Sequence, residues 1–134
     1  MVKRTNYAGW GKHVDWEQEG ARSRVVTAED PSKLIFVSGC TATDGEGNVV
    51  GVGDPYAQAV QALNNIKQAL EMAGASMKDV VRTRVFVTDL RFKDDVNRAY
   101  REFFGDVLPV RAMIGATGFM LPEMLLEIEA DAVV

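Results

Sequence analysis

The chain has 134 residues, is 47% hydrophobic, and carries a net charge of −4 with a pI near 5.0. That length and apolar content predict a single domain, 1–134, around one core. The acidic balance disfavours nucleic acid as a partner, and a lone Cys40 and a lone His13 exclude an internal disulfide and a His-rich metal site, so no metal is expected. No apolar run is long enough to cross a bilayer and no apolar segment follows Met1-Val-Lys-Arg. The expected compartment is therefore the reducing cytoplasm, with no membrane partner.

The first twenty residues are rich in Gly and charge and show no steady period, which reads as an irregular arm with room for one short strand, in which Trp10 and Trp16 pack onto something else. His13 reads as a surface residue. Ser23 to Ala28 and Leu34 to Ser38 are β-rich runs flanking Glu29-Asp-Pro-Ser32, so they are expected to pair as a hairpin. Thr41 to Gly53 is loop chemistry around a short extended Val49-Val50, and no Gly-Lys-Ser/Thr makes it a phosphate loop. Asp54 and Pro55 supply a cap and a first helical residue for the stripe Val60, Leu63, Ile66 and Leu70, which Gly74 closes. Val80 to Val87 alternates as a strand. Phe92, Val96, Tyr100 and Phe103 repeat at helical spacing, and Arg111 to Ala116 and Leu125 to Val133 complete the pattern as strands.

The order is then β-β-α-β-α-β-β, an α+β domain in which two amphipathic helices cover one face of a mixed sheet. Parity places Arg82, Arg84, Arg111, Glu127, Glu129 and Asp131 together on the other face. Charges of both signs on an uncovered face predict self-association as a closed homo-oligomer with sites between subunits. Arg111, set among Val110, Ala112, Met113 and Ile114, needs an anion if it is buried. That anion is either Glu127 or Glu129 of the protein, or a ligand.

With these residues in place, the sequence resembles the RidA family (reactive intermediate deaminase, also called YjgF) from about Arg24 to the C-terminus. The likeness rests on Phe36-Val-Ser-Gly39, Ala57-Gln-Ala-Val-Gln-Ala-Leu-Asn-Asn-Ile66, Asp79-Val-Val-Arg-Thr-Arg-Val-Phe-Val-Thr-Asp-Leu90, Val96-Asn-Arg-Ala-Tyr-Arg-Glu-Phe-Phe-Gly105, Pro109-Val-Arg-Ala112 and Leu126-Glu-Ile-Glu-Ala130 in that order. The resemblance implies a chorismate-mutase-like fold assembled as a homotrimer, with three sites at subunit interfaces. It implies a cofactor-free hydrolytic deaminase of amino-acid-derived enamines and imines that releases ammonia and a 2-oxo acid. Arg111 of Pro-x-Arg would hold the substrate carboxylate and Glu127 would place the attacking water. Asn97, Ser38, Gly39, Cys40 and Met113 would line the pocket, the last two standing where the family often has Gln and Cys. The family's Tyr before the first strand is missing from Gly20-Ala-Arg-Ser-Arg-Val25, leaving Arg22, Trp10 or Trp16 as its replacement. The rival reading is a non-catalytic trimer that binds small carboxylates or regulates a partner. A ribonuclease, a label this family also carries, ranks last on charge.

Overall fold

A computed structural model describes residues 2–134. The elements run β1 (Lys3–Tyr7), α1 (His13–Glu19), β2 (Val25–Glu29), β3 (Leu34–Cys40), α2 (Pro55–Met72), β4 (Val80–Val87), α3 (Lys93–Phe104), β5 (Val110–Gly115) and β6 (Leu126–Val133). The expected β-β-α-β-α-β-β order is the run from β2 onward.

Helix α2 begins where its chemistry requires. The Asp54 carboxylate accepts a hydrogen bond from the Ala57 amide at 3.0 Å, and Pro55 fills a position that needs no amide donor. Its Ala59, Ala62, Leu63, Ile66 and Leu70 are fully buried, as are Val96, Ala99, Tyr100 and Phe104 of α3. The inner stripe of α3 thus ends on Phe104 rather than Phe103, because Val96, Tyr100 and Phe104 follow strict four-residue steps. Both helices pack on Val80, Val85, Val87, Ile128, Ala130 and Ala132, one face of a four-stranded sheet.

The sheet order is β3-β6-β4-β5, with β4 and β5 parallel and the other neighbours antiparallel, the mixed sheet expected. On its open face Arg84 reaches Glu129 at 3.0 Å and Asp131 at 3.6 Å, so those three share a face as parity predicts. Between Val37 and Cys40 of β3, two intervening residues oppose one on β6, a β-bulge at Ser38-Gly39.

Two expectations are corrected here. The runs β2 and β3 do not form a hairpin: β2 pairs with β1 in a separate two-stranded ribbon, and β3 pairs with β6. The turn chemistry of Glu29 to Ser32 is real, but it hands the chain from ribbon to sheet, where the Ser32 and Lys33 amides donate to the Val134 carbonyl. The first twenty residues hold the short strand allowed for, β1, but are otherwise not an irregular arm, since they also form the helix α1. A two-turn helix and a strand paired on one side only are too short to show a period. Arg4 fixes this unit by donating to the carbonyls of Lys78, Val80 and Val107, and Asn6 donates to those of Val107 and Leu108. No helix among the described residues is long and apolar enough to cross a membrane.

Candidate active site

Arg111 sits on β5 opposite Thr83 of β4, and Thr83 is fully buried beneath the helices. Residues paired across neighbouring strands point to the same side, so Arg111 turns toward α3. Its guanidinium carbon lies 4.8 Å from the centre of the Tyr100 ring, whose hydroxyl donates to Thr83 Oγ1 at 2.8 Å. Burial pushes that phenol up to about 12, so it is a neutral platform for a cation.

The Arg111 side chain has no carboxylate partner. Its one hydrogen bond is a long 3.5 Å contact from Nη1 to the Gly20 carbonyl, and Nε has none. Burial pushes its pKa down to about 10, with Tyr100 opposing the shift and Arg22 adding to it. Asn97 of α3 is 4% exposed, and its Oδ1 also lacks a partner. Among the described residues these two atoms are the unpaired buried side-chain polar atoms, and both residues line one pocket of about 240 Å³. Trp16, Glu19, Arg22 and Lys93 complete its wall. Each unmet donor or acceptor costs about 1–3 kcal/mol, so both residues are held at the pocket at a cost to the fold.

Gly20, directly after α1, makes room for this arrangement. A Cβ there would sit 2.7 Å from Arg111 Nη2 and 2.9 Å from Arg22 Nη1. The two guanidinium groups are therefore neighbours across a residue that has no side chain.

Glu127 lies elsewhere. It is paired with Phe86 on the open face of the sheet, and its carboxyl rests on Gly39, whose Cβ would be 2.7 Å from Glu127 Cδ. The bulge exposes Ser38 and Gly39 there, while Cys40 returns toward the core. Burial first, and Glu127 second, push the Cys40 thiol up. Met113, opposite Val85, packs against the core on the Arg111 side.

The predicted site residues thus fall into two groups within one chain. Arg111, Asn97 and Met113 lie on the helix side, whereas Glu127, Ser38 and Gly39 lie toward the open face. The expectation that Arg111 shares a sheet face with Glu127, Arg82 and Arg84 is corrected: Arg82 and Arg84 flank Thr83 on β4, and Arg111 pairs with Thr83 itself. Val110 to Gly115 is apolar on both sides, so its sequence gave parity nothing to grip. Trp16 and Arg22, two of the three residues offered for the missing Tyr, do line the pocket, whereas Glu19 and Lys93 on its wall and Tyr100 against Arg111 were not anticipated. A tyrosine in place of phenylalanine in an otherwise apolar stripe was the available signal for Tyr100.

A family model described as Endoribonuclease L-PSP matches residues 17–134. The 3-aminoacrylate deaminase RutC of Acinetobacter baylyi is 35% identical over 107 residues, covering 80% of this chain and 84% of the relative. The crystal structure of YyfB from Yersinia pestis, a Rid-family protein of unknown function, has a TM-score of 0.86 at 28% identity and covers 98% of both chains. TdcF of E. coli, solved with bound serine, has a TM-score of 0.70 at 30% identity, covering 78% of this chain and 84% of that one.

Proposed function

Since this chain belongs to the endoribonuclease L-PSP family, also named RidA/YjgF/YER057c/UK114, we propose that it is a cofactor-independent deaminase of amino-acid-derived enamines and imines. The observation that carries this reading is Arg111, a part-buried guanidinium with no carboxylate partner among the described residues, lining the same small pocket as Asn97. A substrate carboxylate would accept two charge-assisted hydrogen bonds from the planar guanidinium. An imine or ammonium N–H would donate to Asn97. Both groups are offered at fixed separation by a 2-imino acid. RutC is named as a deaminase of 3-aminoacrylate, and TdcF was solved with bound serine, so both relatives take a small molecule that carries a carboxylate and an amino nitrogen.

Water must then add to the imine carbon. In the proposed chemistry Glu127 takes a proton from that water as the C–O bond forms. It passes that proton to the imine nitrogen to give a carbinolamine, then carries the carbinolamine's hydroxyl proton to the same nitrogen as the C–N bond breaks and the C=O bond forms, so that ammonia and a 2-oxo acid result. Because Arg111 and Glu127 are on opposite sides of the sheet in one chain, the proposed site joins the Arg111 pocket of one protomer to the Glu127 surface of its neighbour in a homotrimer. The open face supports such packing: Phe36 is 74% exposed and Leu34 58% exposed, side by side on β3. Imines already hydrolyse in water, so orientation and a placed proton carrier suffice.

The test generates imines in place with an amino-acid oxidase and measures 2-oxo acid formation above the spontaneous rate. Wild type should accelerate it and Arg111→Ala should not. Carboxylate binding without any acceleration would instead establish a non-catalytic binding protein, a reading favoured by the lack of a Tyr in Gly20-Ala-Arg-Ser-Arg-Val25.

A further inference from the structure

We propose that the pocket is a two-arginine clamp for the imine of a dicarboxylic amino acid, Arg111 holding one carboxylate and Arg22 the other. The inference rests on the deaminase reading above and gives it a substrate class. Arg22 and Arg111 approach the same point over Gly20, at 2.9 Å and 2.7 Å, and both line the pocket. Two like charges side by side in a part-buried site repel, and an anion placed between them relieves the repulsion.

The protein supplies little of that answer. Among the described residues neither arginine makes an ion pair. The buried carboxylate nearest in sequence, Glu17, lies near enough to favour Arg22's charge but bonds elsewhere: it accepts from Arg24 Nε at 2.9 Å and from the Gly9 amide at 2.7 Å. Glu19 is the one acid on the pocket wall, against three cations, Arg22, Lys93 and Arg111. The site therefore carries a surplus of two positive charges, which a monocarboxylate leaves half unmet. A second carboxylate on a chain of four or five carbons meets it within a volume of about 240 Å³. A tyrosine at position 22 would line the same space without a charge, so it would leave the substrate's distal end unselected.

The decisive experiment compares imines of aspartate and glutamate with those of alanine and leucine, each made in place by a matching oxidase, for wild type, Arg22→Gln and Arg22→Lys. Wild type should prefer the acidic imines. Arg22→Gln should lower kcat/KM for them by about tenfold more than for the neutral imines, mostly through KM, and Arg22→Lys should recover part of the difference. An equal loss on both classes, or a wild-type preference for neutral imines, overturns the clamp.

A calorimetric arm separates this outcome from failure of the deaminase reading. If no imine is accelerated, that reading fails, but glutarate should still bind wild type at least about tenfold more tightly than butyrate, with the advantage lost in Arg22→Gln. Equal affinity for the two acids overturns the clamp whatever the turnover shows. Circular dichroism of each variant confirms that the fold is retained.

Discussion

Arg111 is kept at a cost to the fold. A guanidinium buried without a counter-ion has lost its hydration and gained in return a ring face and one long hydrogen bond. Arg111→Met, which keeps the stem and its contact with Tyr100 while removing the charge, should raise the free energy of unfolding by about 1–2 kcal/mol and abolish turnover together. Chemical denaturation alongside the imine assay checks both; a destabilised variant would mean that Arg111 is a structural ion whose partner comes from the assembly. At this scale the sequence was partly legible. Pro109-Val-Arg111 singled out the arginine, and its apolar neighbours marked its need of an anion, which the sequence left open between Glu127, Glu129 and a ligand. What it met was legible only in part: Arg22 and Trp16 were among the residues offered for the missing Tyr, but Glu19 comes from a segment with no readable period.

Elements announced by both a cap and a period were legible almost to the residue. Asp54-Pro55 and the stripe from Val60 to Leu70 gave α2, and strict alternation on β6 gave its inner and outer faces. Pairing partners were not, since a strand's sequence records which side is wet but not which neighbour it meets. One polar residue that the stripe left unexplained, Gln58, is fully buried and joins three pieces of chain. It donates to the Gly51 and Glu123 carbonyls at 3.1 Å and 2.9 Å and accepts from the Leu125 amide at 2.9 Å. Gln58→Leu would strand all three backbone groups and should cost about 2–4 kcal/mol, read as a lower denaturation midpoint. A loss below 1 kcal/mol would show that water replaces the amide.

For the whole molecule, the decisive fact is that the two groups of site residues do not meet inside one chain. A homotrimer that joins them predicts complementation between inactive variants. Arg111→Ala and Glu127→Gln, each inactive alone, should recover about a quarter of wild-type activity when co-refolded in equal amounts, since every mixed trimer contains one intact pair among its three interfaces. No recovery, with mixed trimers present by mass spectrometry, would place both residues' roles in separate processes. The pocket is also divided along the chain. Arg111 and Asn97 belong to the packed sheet and helix, while Trp16, Glu19 and Arg22 belong to the N-terminal unit, held on by Arg4, Asn6 and the bond from Arg101 to the Glu19 carbonyl. Grip on the group common to all substrates and grip on the group that distinguishes them are thus inherited from different stretches of sequence. A graft of some two dozen residues from a related protein could redirect such an enzyme to new acids while its hydrophobic interior went untouched.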